Sequence, residues 1–131
     1  MNLAQGLLDT SVFIAHESGR GIDENLVPAA CAMSVVTISE LRAGVLAARS
    51  AVTRERRLAT LEAVRSFDVL PIDDDVAQAW ARLRIVLRDA SARMGVNDSW
   101  IAATAIAHTL PIVTQDDDFD AARDLLHVIR V

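Results

Sequence analysis

Short apolar runs alternating with longer helical patterns predict an α/β protein: one three-layer α/β/α domain with a short, mainly parallel central sheet. The runs Gly6-Leu7-Leu8, Cys31 to Val36, Val69-Leu70-Pro71-Ile72 and Leu110 to Thr114 are continuously apolar, as strands covered on both faces are. Helix-length segments separate most of them, as parallel crossovers require. The 131 residues suit a single domain over 1–131, and 52% hydrophobic with 4% aromatic residues demands an aliphatic, alanine-rich core.

In chain order, the first run ends at Asp9, and Thr10-Ser11 offer cap hydroxyls to a helix through Val12-Phe13-Ile14-Ala15-His16. A break at Gly19-Arg20-Gly21 leads to a short helical segment near Asp23 to Ala30, limited by Pro28. After the second strand, Thr37 and Glu40 have the capping-box spacing of a helix running to about Ala48. Thr53 to Phe67 places Leu58, Leu61 and Val64 at helical spacing among arginines, so the two helices form a hairpin. Asp73-Asp74-Asp75 opens a helix over Val76 to Met94, which Gly95 ends. Asp98 opens the next, Ser99 to Thr109, apolar on nearly every face and therefore buried. Asp116 to Leu126 reads as short helical or irregular chain, and His127 to Val131 as a last strand.

A net charge of −5 excludes a generic nucleic-acid binder, which gains affinity from a basic surface. All 13 basic residues are arginine, so chemistry that needs a lysine is excluded. Cys31 is the single cysteine, which rules out an intrachain disulfide and suits a reducing compartment. With no leader evident at Met1 to Leu8 and no uninterrupted spanning segment, a cytoplasmic location without membrane association is expected. A mean hydropathy of +0.28 is high for so small a chain and implies apolar surface covered by a partner.

Carboxylates mark the ends of these elements. Asp9 and Asp116 directly follow strands, while Glu40 and Asp98 lie at helix beginnings, positions that an open parallel sheet gathers at one edge. Acids held that close repel one another and call for cations. Oxygen donors without a His or Cys pattern favour Mg²⁺, with Mn²⁺ as substitute, and such ions suit phosphodiester cleavage by acidifying a water.

The segments Leu8-Asp9-Thr10-Ser11, Ser39-Glu40-Leu41-Arg42-Ala43-Gly44, Asn97-Asp98-Ser99-Trp100-Ile101-Ala102-Ala103 and Val113-Thr114-Gln115-Asp116-Asp117-Asp118-Phe119 resemble, in order and over essentially the whole chain, a PIN-domain ribonuclease of the VapC type. The resemblance implies a metal-dependent endoribonuclease, the toxin of a toxin–antitoxin pair, with an RNA substrate, a cognate antitoxin and a homodimeric form. It implies Asp9, Glu40, Asp98 and Asp116 as catalytic and metal-binding acids, Asp9 and Asp98 foremost. Asp118 is an additional acid, and the triple run leaves open which of Asp116 and Asp118 is the fourth ligand. Thr10, Ser11 and Thr114 would orient carboxylates or phosphate oxygens. Arg42 would contact phosphate or balance the acids.

Other residues read more plainly. Asp73-Asp74-Asp75 has the same composition without the motif and is assigned to helix capping. His16, His108 and His127 lack metal spacing. Trp80, Trp100 and Phe119 are assigned to the core, and Arg54, Arg56 and Arg57, with Arg84 and Arg88 one turn apart, are candidate RNA or partner contacts for which solvated helix faces are the default. A catalytically silent partner-binding module is the alternative function. An aspartyl-phosphate transferase fits less well, since Ser11 stands where a second acid is wanted.

Overall fold

The computed structural model describes residues 5–131. The reading of the amino-terminal segment as free of a leader rests partly on residues 1–4, which lie outside them.

Five strands, β1 (Gln5–Leu8), β2 (Ala30–Ser34), β3 (Asp68–Leu70), β4 (Ile112–Thr114) and β5 (Val128–Arg130), form one sheet in the order β3-β2-β1-β4-β5. Every pairing is parallel, with Leu7 opposite Ala32 on one side and Ile112 on the other. The intervening helices are α1 (Thr10–Glu17), α2 (Val35–Ala47), α3 (Ala51–Ala63), α4 (Asp74–Asp89) and α5 (Val96–Ala107). Three 3-10 turns complete the chain, at Glu24–Leu26, Val64–Ser66 and Asp120–Ala122.

The strand alternation sorts side chains into two cores. Leu7 and Ile112 join Leu83 of α4 and Ile101 of α5, whereas Leu8 and Val113 join Phe13 of α1, Leu41 of α2 and Leu61 of α3. Helices therefore cover both faces, as the apolar strands require. α5 buries Ser99 and every residue from Ile101 to Ala105. Phe119 is wholly buried, while Trp80 and Trp100 stack at 4.6 Å in a half-buried position. At Gly6 a Cβ would fall 2.9 Å from Pro28 Cγ and 3.0 Å from Val113 Cγ2, so the central strand needs glycine there to admit both neighbours. No helix among the described residues is long and apolar enough to cross a membrane.

Several element boundaries differ from expectation. α1 starts at Thr10 with Asp9 as its cap residue, so the Thr10 and Ser11 hydroxyls lie inside the helix and do not cap it. α2 begins before Thr37, because Ser34 accepts a hydrogen bond from the Val36 N–H at 3.1 Å and caps it. Chain 23–30 forms a 3-10 turn and then enters β2. α4 stops at Asp89, where Ser91 turns to φ 52° and the Ala92 N–H returns to the Leu87 carbonyl at 2.9 Å. Gly95 is instead the cap residue of α5, which makes Asp98 the third helical residue and not the cap. Asp73 caps α4 through the Val76 N–H at 3.0 Å, as expected.

Candidate active site

From the central strand β1 the chain runs outward to β2 and β3, then returns to the other side as β4. Connections thus diverge at the carboxyl ends of β1 and β4, which opens a crevice at that edge. Asp9 follows β1 directly, and Asp116 stands two residues beyond β4. Glu40 projects from the second turn of α2, and Asp98 from the first turn of α5.

Asp9 is only 3% exposed, and its carboxylate is satisfied by hydroxyls. Ser11 Oγ donates to Asp9 Oδ2 at 2.7 Å, and Thr114 Oγ1 donates to the same oxygen at 3.0 Å. Those hydroxyls in turn accept from the loop after β4: the Gln115 N–H meets Ser11 at 3.1 Å and the Asp116 N–H meets Thr114 at 3.0 Å. Each hydroxyl spends its single proton on the carboxylate and its lone pair on a backbone amide, so the direction of both relays is fixed.

Glu40 is held similarly. Thr10 Oγ1 lies 2.7 Å from Glu40 Oε1 and 2.9 Å from Thr37 Oγ1. Thr10 is the donor in both contacts, its one proton shared between the Glu40 carboxylate and the Thr37 oxygen. Thr37 is thus a supporting residue that the sequence reading assigned to a cap.

Charge couples the cluster. Burial raises the Asp9 carboxyl above its ordinary value, opposed by the bonds from Ser11 and Thr114, and Asp116 adds to the rise. Asp98 is pushed up to about 7, first by burial and then by the charges of Asp9, Asp118, Glu40 and Asp116. The other four acids named from the sequence therefore all act on Asp98, and Asp116 acts on Asp9 as well. Asp98 and Asp118 also line a cleft of about 530 Å³ with Arg93 and Gly95. The acid run after β4 divides: Asp117 is ion-paired with Arg130, leaving Asp116 and Asp118 to the cluster.

Arg42 is exposed, and its two-residue offset from Glu40 turns it to a different face of α2. The α3 arginines are used within the fold: in the hairpin Arg57 donates to the Gly44 carbonyl at 2.7 Å and Arg54 to that of Ala48 at 3.1 Å, and Arg56 lies 3.9 Å from Glu17 of α1.

As they stand, no three His, Cys, Asp or Glu side chains among the described residues are assembled tightly enough to hold one ion. The donor set nevertheless fits a hard divalent cation, because mutually repelling carboxylates lack a counter-charge. Mg²⁺ in particular takes one or two carboxylates and completes its shell with water and substrate phosphate.

The sequence matches the PIN domain family over residues 6–125. It is 58% identical to Ribonuclease VapC5 of Mycobacterium tuberculosis over 118 residues, covering 90% of this chain and 87% of that protein. Identity to Ribonuclease VapC4 of the same organism is 46% over 125 residues, covering 95% and 96%. The crystal structure of VapBC-5 from Mycobacterium tuberculosis, described as a member of the VapBC family of toxin-antitoxin systems, superposes with a TM-score of 0.92 at 52% identity, covering 98% of this chain and 99% of that one. Motif order, sheet topology, the converging acids and these matches lead to one assignment: the chain belongs to the PIN-domain family, in its VapC group.

Proposed function

We propose that residues 1–131 act as one PIN-like nuclease domain, a divalent-metal-dependent endoribonuclease that serves as the toxin of a toxin–antitoxin pair. The observation that carries this reading is the convergence of Asp9, Glu40, Asp116 and Asp118 around Asp98 at the sheet's switch point, where the charge of each acts on the Asp98 carboxyl. The names of the relatives support it, since both are called ribonucleases.

Asp9 and Asp98 are the proposed direct ligands of Mg²⁺, with Mn²⁺ as substitute, and Asp116 or Asp118 completes the set. A bound ion supplies charge neutralisation at the phosphate and acidifies the attacking water. Ser11 and Thr114 keep Asp9 oriented and ionised. Glu40, steadied by Thr10, accepts the proton of the attacking water. Hydrolysis then breaks a phosphodiester P–O bond as the water oxygen bonds to phosphorus, and the leaving oxygen takes up a proton.

An antitoxin is the proposed inhibitor. An apolar groove of about 520 Å³ runs between α1 and α3, lined by Val12, Phe13, Val64 and Phe67 among others, and suits the apolar side chains of a partner segment. A homodimer is proposed as well, supported by Leu46 at 83% and Val52 at 73% exposure at the tip of the α2–α3 hairpin. A cytoplasmic location follows from an RNA target.

The deciding experiment is cleavage of RNA with Mg²⁺ or Mn²⁺ by the purified chain, by Asp9→Asn and by Asp98→Asn. The parent is expected to cut and each variant to lose at least about two orders of magnitude, about 2.7 kcal/mol of barrier. Equal activity in all three overturns the proposal. Absence of cleavage in every metal with antitoxin binding retained leaves the silent partner-binding module.

A further inference from the structure

A second cleft adjoins the acidic one and has the opposite charge. Of about 290 Å³, it is lined by Arg84, Arg88 and Arg93 and shares Arg93 and Met94 with the cleft that carries Asp98 and Asp118. Three of the chain's 13 arginines are thus gathered beside its acids, in a protein of net charge −5.

These cations are poorly neutralised from within. Arg84 and Arg88 stand four residues apart on α4, where like charges repel. Arg84 and Arg93 belong to none of the ion pairs among the described residues. Arg88 reaches only its neighbour Asp89, in a pair 71% and 66% exposed, which water screens. Arg84 is nonetheless oriented, its guanidinium 5.1 Å from the Trp80 ring, which stacks on Trp100 and donates from Nε1 to Ser99 Oγ at 3.0 Å. Ser99, next to Asp98, lines the basic cleft as well. The aromatic pair therefore fixes the basic cleft and the first turn of α5 against each other.

We propose that the Arg84–Arg88–Arg93 cleft is the track for the single-stranded RNA that flanks the cut, with Arg93 at its junction with the acids. The inference rests on the ribonuclease reading, because a scissile phosphodiester at Asp98 puts the neighbouring phosphates of its strand at Arg93 and beyond. Guanidinium groups suit this work, since their planar donors match phosphate oxygens. RNA reaches this acidic protein by neutralising a local stripe.

The test measures binding of a fluorescently labelled single-stranded RNA to the full-length Asp9→Asn protein by anisotropy over a series of salt concentrations. Arg84→Ala, Arg88→Ala and Arg93→Ala are each expected to reduce the magnitude of the log affinity against log salt slope by about 0.7. The triple variant removes about 2 and binds more than about tenfold weaker. Lysine at the same three positions restores the slope, which counts charge, whereas a folding defect would not be repaired in this way. A triple alanine variant that keeps the Asp9→Asn affinity and slope, while the parent still cleaves RNA, overturns the track and leaves the nuclease standing. Loss of antitoxin binding with RNA binding unchanged overturns it too and assigns the cleft to a protein partner. If the parent neither binds nor cuts RNA, the ribonuclease reading has failed and the track falls with it.

Discussion

Thr114 Oγ1 donates to Asp9 Oδ2 at 3.0 Å across 105 residues of chain, joining the carboxyl ends of two adjacent strands. The same hydroxyl accepts the Asp116 N–H, so one oxygen sets the position of two site acids. Removing it leaves both a buried carboxylate and a backbone amide short of a partner.

Thr114→Val is therefore expected to cost about 1–3 kcal/mol in stability and to raise the Asp9 carboxyl further. Its cleavage-rate profile shifts toward higher pH, while Thr114→Ser keeps the parent profile. Denaturant melts and rate–pH curves on both variants check this.

Asp98 gives the metal-free protein an inverted acid response. Its carboxyl sits at about 7, above its ordinary 3.8, so between those values the folded state holds more proton than the unfolded one. Stability from this group is complete below pH 4 and is lost as pH rises through 7. Melting in EDTA should show a decline from about pH 4 to 7 that Asp98→Asn flattens. Mg²⁺ should reverse the decline, since it favours the ionised form.

The three acids after β4 should separate in function. Asp117 lines the acidic cleft beside Asp118 but is neutralised by Arg130, so Asp117→Asn should alter the cleavage rate less than about threefold. Asp116→Asn or Asp118→Asn should cost tenfold or more, about 1.4 kcal/mol, and the larger loss identifies the fourth ligand. Single-turnover rates at saturating Mg²⁺ provide the comparison.

Ala63 is exposed on α3 and lines the apolar groove. Ala63→Glu puts a charge where an apolar segment would dock and should weaken antitoxin binding by at least tenfold, about 1.4 kcal/mol, with little change in melting temperature. Titration calorimetry with the purified antitoxin tests it; unchanged affinity removes the groove as the docking site.

Gly6→Ala should destabilise the fold by about 1–3 kcal/mol, because the added carbon meets a rigid Pro28 ring and Val113 inside the central strand. Urea denaturation is the measurement.

The sequence made the sheet plain because its strands are apolar without alternation, and it made Asp9 and Asp116 plain because one follows β1 at once and the other stands two residues beyond β4. Helix beginnings were less legible. Thr10, Ser11 and Thr37 have cap chemistry, yet Thr10 meets Thr37 and Glu40, 27 and 30 residues away, and Ser11 bonds Asp9 and accepts from the Gln115 N–H, 104 residues away. Local spacing cannot show such partners. Asp98 looked like a cap for the same reason, whereas Gly95 holds that position and leaves the carboxylate to the cluster. Arg84 and Arg88 were legible as a pair one turn apart, but the cleft was not, because Arg93 falls within the helix expected to run to Met94 and meets them only because α4 ends at Asp89.

The placement of β1 between β2 and β4 also orders events during synthesis. The strand that bears Asp9 is made first, but one of its two edges stays open until Ile112 and Val113 arrive. A nascent or truncated product lacking the last twenty or so residues therefore has neither a closed sheet nor the hydroxyl that steadies Asp9. On the proposed reading such fragments would lack hydrolytic competence, which would arise only after β4 has paired with β1 and Thr114 has reached Asp9.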